Sequence, residues 1–197
     1  MKVIRIVAWL AVAVVAIAVL YNRYGSMQEN MEGPGGPFVL TSHMGETVSN
    51  NDFKGRYMLI YFGYSFCPDV CPVELGKMSA ALTMLEEEGY DISPIQPIFI
   101  TVDPERDTVE ALANYVVDFH PSLIALTGTP EEIDSAAKAY RVYYTKREQE
   151  GVEGYLMDHT SVIFVMNPDG NYHRLFSARN TPAEIAEAFK PVLKKVR

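Results

Sequence analysis

Cysteine is scarce in this 197-residue sequence, with two copies at positions 67 and 71. So few cannot make a disulfide-dense scaffold or a zinc finger of four local cysteines, although one pair can still do one job. Neither lies near residue 20, which excludes an anchor built on a lipid-modified cysteine. Basic charge is scarce beyond the first 23 residues. Lys2, Arg5 and Arg23 stand in an acid-free stretch, whereas the other 174 residues set 14 basic side chains against 25 acidic ones. A soluble part this acidic argues against a protein that tracks nucleic-acid phosphates, so no nucleic-acid partner is expected. Internal repeats are absent, and four histidines limit the supply of imidazole. The remainder, 48% hydrophobic and 21% charged, is the composition of a folded protein.

One long apolar run exists. Ile6 to Tyr21 carries no charge over 16 residues, and the run reaches 19 from Val3 if Arg5 snorkels. A spanning helix needs about 17–25 such residues, so residues 1–23 are expected to form one N-terminal transmembrane helix. The competing reading is a cleaved signal peptide ending at Ala16-Ile17-Ala18. Apolar character continuing through Val19 to Tyr21, with Tyr21 and Tyr24 at the interface, favours retention. Either way Lys2 and Arg5 place the N-terminus in the cytoplasm and the rest outside, in the periplasm or an equivalent space that permits disulfides. Residues 24–37 have no apolar periodicity and read as a flexible tether. The thirteen residues Gly25 to Pro37 span about 20 Å. Residues 38–197 are then one domain.

Within that domain, Phe38 to Leu40 opens a short strand, and His43 to Glu46 turns into a second extended piece. Tyr57 to Phe62 reads as a central strand ending at Gly63. A helix is expected from Pro72 to about Glu88, and a strand from Pro97 to Val102. Asp107 or Thr108 can cap the next helix, which runs to about Phe119; a strand follows over Leu123 to Leu126. Thr129-Pro130-Glu131-Glu132 and Thr181-Pro182-Ala183-Glu184 each have a capping-box outline. Ser161 to Met166 and Tyr172 to Phe176 form a hairpin across Pro168 to Asn171. This order implies an α/β domain with parallel crossovers and an antiparallel edge, compatible with a thioredoxin-like fold: a central mixed sheet flanked by helices.

The chemistry concentrates in Gly63 to Pro72, at the carboxyl end of the central strand, where open α/β sheets place their sites. Pro72 suits a first helical position, which makes Cys71 the expected N-cap and the more acidic thiol. A bridge between Cys67 and Cys71 would close only a few residues, a weak staple but a workable switch. A purely structural disulfide is therefore the least favoured reading. A redox-active pair and a metal site both stay open, because spacing does not separate them. Among the histidines, His43 falls in a turn, His120 at a helix end in a solvated or capping position, and His173 on the surface. His159, in Asp158-His159-Thr160, reads as a loop histidine on residue type alone, ahead of a strand that can approach the cysteine loop.

Three motifs in order resemble the Sco/SenC family: Tyr61 to Pro72 with its Cys67-Pro68-Asp69-Val70-Cys71 core, Thr101 to Thr108, and Asp158-His159-Thr160. The match runs over essentially all of residues 38–197. The resemblance implies a membrane-anchored, thioredoxin-like copper metallochaperone rather than an enzyme. Cys67, Cys71 and His159 would bind one Cu(I) or Cu(II) and deliver it to the dinuclear copper centre of cytochrome c oxidase during assembly. Implied partners are the copper-accepting oxidase subunit, other periplasmic copper or thiol-redox proteins, and the inner membrane through the single N-terminal span. The alternative is a thiol–disulfide oxidoreductase whose catalytic pair, Cys67 and Cys71, reduces the cysteines of that centre; peroxide reduction is a weaker third. Asp69 and Asp158 are candidates for contacts around the ligands, and Asp103 and Arg106 for support of the fold nearby. One position departs from the family: Phe66 stands before the first cysteine where His is frequent, leaving that side more apolar.

Overall fold

The computed structural model describes residues 33–148 and 154–196, together with Trp9. The chain divides into two compact units, Met1–Gly33 and Pro34–Arg197, and every element below belongs to the second. The expected membrane helix, and the tether up to residue 32, lie outside the described residues apart from Trp9. Among the described residues no helix is long and apolar enough to cross a membrane.

The strands are β1 (Val39–Ser42), β2 (Thr47–Ser49), β3 (Tyr57–Gly63), β4 (Ile95–Thr101), β5 (Ile124–Thr127), β6 (Tyr144–Glu148), β7 (Tyr155–His159), β8 (Val162–Met166) and β9 (Tyr172–Ser177). The helices are α1 (Val70–Glu87), α2 (Val109–Tyr115), α3 (Pro130–Ala139) and α4 (Pro182–Phe189). Seven strands form one sheet in the order β2-β1-β5-β4-β3-β8-β9. The β3–β4 and β4–β5 pairs are parallel, and β1–β2, β1–β5, β3–β8 and β8–β9 are antiparallel, so the sheet is mixed as expected.

The apolar runs explain the centre. Every residue of β4 is buried, as is all of β3 after Tyr57, because helices cover both faces. Side chains alternate across a strand. Tyr61 therefore turns toward Cys71 of α1, while Phe62 turns to the Tyr140 ring just after α3. Helix α1 buries Leu75, Met78, Leu82 and Leu85, the three-and-four spacing of one helical face. Both expected capping boxes form, at Thr129 with Glu132 and at Thr181 with Glu184, each with Pro at the start of the helix.

One element was not anticipated. Strands β6 and β7 form a separate two-stranded antiparallel sheet, pairing Tyr144 with His159 and Glu148 with Tyr155. His159 is thus the last residue of a strand rather than part of a loop.

Candidate dithiol and imidazole site

Strand β3 ends at Gly63, whose carbonyl accepts the Val102 amide at 2.7 Å. A side chain here has no room: an added Cβ would lie 2.9 Å from Cys71 Sγ, 2.9 Å from Tyr61 Cε1 and 3.0 Å from Phe99 Cε2. Only glycine lets the second cysteine pack against the strand. The loop that follows is braced by Asp107, which accepts from both the backbone amide and the hydroxyl of Ser65. Thr101 Oγ1 donates to the same carboxylate at 2.6 Å. Burial pushes the Asp107 carboxyl up despite these donors. Thr108, not Asp107, caps α2, taking the Ala111 amide on its side chain.

Helix α1 begins at Val70, two residues earlier than the sequence implies. Asp69 is its N-cap, which puts Cys71 at the second helical position and Pro72 at the third. The expected N-cap role of Cys71 is therefore corrected, and the expected order of thiol acidity reverses with it. Cys71 is 0% exposed and Cys67 is at the edge of burial. The first amides of the helix face Cys67: its sulfur accepts the Cys71 N–H at 3.5 Å. A hydrogen bond from the Cys71 thiol, helped by His159 and the Asp69 and Cys71 amides, overcomes burial and holds the Cys67 thiol well below its ordinary value. Being the donor in that bond, and buried, Cys71 is pushed up.

His159 arrives from β7. Its Nε2 stands 3.3 Å from Cys71 Sγ. Its Nδ1 lies 3.0 Å from the Thr160 carbonyl, which can only accept, so Nδ1 carries a proton and Nε2 is the nitrogen turned to the sulfurs. Thr160 is itself fixed to Tyr143: its amide donates to the Tyr143 carbonyl, and its hydroxyl accepts the Tyr143 amide. Two tyrosine rings meet the imidazole nearly edge-on, Tyr61 at 6.0 Å and Tyr64 at 5.9 Å. The Tyr61 hydroxyl lies 3.8 Å from Cys71 Sγ and 3.0 Å from Ser161 Oγ.

Cys67, Cys71 and His159 are thus neighbours. Among the described residues, no three His, Cys, Asp or Glu side chains are already closed around a metal position. The cleft beside Cys67 holds about 280 Å³ and is lined by Tyr64, Cys67, Arg147, Met157 and His159, with Asp69 and Asp158. Asp158 pairs with Arg147 at 3.3 Å, both half-exposed. The other histidines stand apart. His43 Nδ1 accepts the Ala125 amide, and His173 is exposed. His120, expected in a solvated or capping position, is buried between Ser122 and Glu86. Sequence reasoning missed Asp107 as a brace and Tyr61, Tyr64 and Ser161 as neighbours of the thiols and imidazole. Tyr61 and Tyr64 stand inside the quoted cysteine motif, and that placement was their only signal.

A profile of the family described as SCO1/SenC matches residues 26–194. The human protein named "Protein SCO1 homolog, mitochondrial" is 44% identical over 163 residues, covering 83% of this chain and 54% of the relative. The chain spans about half the length of the curated relatives it matches. Two solved structures align closely. Bradyrhizobium japonicum ScoI with copper bound is 41% identical at a TM-score of 0.74, covering 81% of this chain and 99% of that one. Arabidopsis thaliana ScoI with copper bound is 42% identical at 0.73, covering 79% and 95%.

Proposed function

The chain belongs to the SCO1/SenC family, and from that premise we propose that it is a copper metallochaperone whose cargo is held by Cys67, Cys71 and His159. The carrying observation is the approach of His159 Nε2 to Cys71 Sγ at 3.3 Å, with the Cys67 sulfur alongside. Metal bonds of about 2.3 Å to sulfur and about 2.0 Å to imidazole nitrogen, the lengths zinc shows, span that gap. Thiolates are soft ligands suited to Cu(I), and imidazole serves either oxidation state. Three donors at a cleft leave a side open to incoming ligands, so the ion passes on by exchange. Copper-bound relatives support the cargo. The receiver in this reading is the dinuclear copper centre of cytochrome c oxidase, through its copper-accepting subunit. The domain works in the periplasm or an equivalent space, tethered to the inner membrane by residues 1–23, whose apolar run after Lys2 and Arg5 supports that placement.

A second reading has its own support in the opposed thiols, Cys67 pulled down and Cys71 pushed up. That is the pattern of a dithiol reductant. The Cys67 thiolate would attack a target disulfide and release one target thiolate. Cys71 would then displace the other, leaving a Cys67–Cys71 disulfide and a target reduced by two electrons.

One set of variants tests both. The reduced full chain is expected to take up one copper ion, and Cys67→Ser or Cys71→Ser to abolish tight binding. His159→Ala should mainly weaken Cu(II), alter its spectrum and impair transfer to an oxidase copper domain, while sparing disulfide reduction. Copper uptake by all three variants at the parent's level would refute the ligand set. Intact transfer with lost reduction in His159→Ala would contradict the chaperone reading and the role given to His159.

A further inference from the structure

The hairpin that delivers His159 shares no ladder with the main sheet, so its position must be fixed by other contacts. A continuous polar run provides them. It starts in the cysteine loop, where Ser65 donates twice to Asp107. Thr101 Oγ1 donates to Asp107 and accepts the Asp103 amide at 2.9 Å. Asp103, 1% exposed, then holds Arg106 Nε on one oxygen and the Tyr155 hydroxyl, at 2.8 Å, on the other.

Arg106 closes the run. Its Nη1 donates to the Tyr155 carbonyl at 2.9 Å, at the start of β7. Its guanidinium lies 3.8 Å from the Tyr155 ring centroid, 4.9 Å from that of Phe66 and 5.7 Å from that of Tyr64. Tyr64 in turn sets its ring against His159. One planar cation therefore touches the cysteine loop on one side and the histidine strand on the other.

We propose that Arg106 is a positioning residue of the site: it clamps the cysteine loop, through Tyr64 and Phe66, to β7, through Tyr155, and so holds the His159 imidazole against the thiols. Arginine suits the task because its faces stack on rings while its edge forks to a carboxylate and a carbonyl; a lysine keeps the charge and loses the plane. The Lys146–Glu105 pair ties β6 to the same segment, and Lys146 Nζ lies 4.6 Å from the Tyr155 ring centroid without reaching the cysteine loop. That makes it the control for a cation on Tyr155 that makes no bridge to that loop. The inference rests on the metal reading for its copper readout only.

The test uses the full chain as Arg106→Met, Arg106→Lys and Lys146→Met. In the reduced, metal-free state, nuclear Overhauser contacts between the His159 and Tyr64 rings report the position of the imidazole. With Cu(II) added, nitrogen hyperfine structure in the electron paramagnetic resonance spectrum reports its ligation. Arg106→Met is expected to lose both signals and to bind Cu(II) about 10- to 100-fold more weakly, the range seen when support of a metal-ligating histidine is removed. Copper stoichiometry should hold, because both thiols remain. Arg106→Lys should recover part of each signal, and Lys146→Met should match the parent. Retention of both signals in Arg106→Met, or equal loss in Lys146→Met, would overturn the proposal. Should Arg106→Met fail to fold, Arg106→Lys decides, with full retention of both signals counting against it. A parent that takes up no copper would sink the metal reading, and the ring contacts would still decide on Arg106.

Discussion

Cys67 and Cys71 sit where β3 runs into α1, among Tyr61, Phe99 and Leu75, none more than 1% exposed. His159 instead ends a hairpin whose first strand is exposed over Thr145 to Glu148. The dithiol half is held by packing, which is non-directional and shared among many contacts. The imidazole half is held by a few aimed bonds: Arg106 to Tyr155, and Thr160 to Tyr143. Packing resists single changes that leave its volume intact. Aimed bonds fail one at a time. One site thus joins a pair of thiols held by packing to a nitrogen held by a few bonds.

The largest expected effect comes from violating volume on the packed side. Gly63→Ala forces a methyl against Cys71 Sγ, Tyr61 and Phe99, and should cost about 1–3 kcal/mol in urea unfolding as overpacking does. An unchanged midpoint would contradict the account of β3 and Cys71.

A smaller effect is expected where the loop is braced. Burial raises the Asp107 carboxyl above its ordinary 3.8, so between that value and the raised one the folded state binds more protons than the unfolded state. Stability from this group is then full below 3.8 and falls as pH rises through the window. Asp107→Asn should remove that part of the pH slope and cost about 1 kcal/mol near neutrality through its lost hydrogen bonds. Unfolding curves across the acid range check it, and an identical slope in the variant would count against the assignment.

The smallest effect lies at the joint between the halves. Arg141, at the end of α3 before the hairpin, has φ of 56°, a left-handed conformation that suits glycine. Arg141→Gly should raise stability by about 0.5–1 kcal/mol. A lower melting temperature would mean that the Arg141 side chain makes an unrecognised contact.

The same division governed what the sequence disclosed. β3, β4 and α1 were legible because deep burial writes long apolar runs and three-and-four spacing into the chain. The helix starts at Thr129 and Thr181 were legible because a capping box needs particular residues. β6 and β7 were not, because the exposed strand of this small sheet carries Thr145, Lys146, Arg147 and Glu148 in a row, which reads as polar connection. His159 was found through its motif, and its strand was invisible for that reason. The acidity of the thiols was misjudged because a two-residue shift in the start of α1 decides which sulfur meets the free amides.

The graded burial of the site also imposes an order in time. Cys71 is sealed at 0% exposure, Cys67 lies at the rim, and His159 is partly buried beside the cleft. Anything entering from solvent meets the imidazole and Cys67 before Cys71. An exchange begun from outside therefore runs in one sequence, with the innermost sulfur engaged last on arrival and, by reversal of the same path, released first on departure.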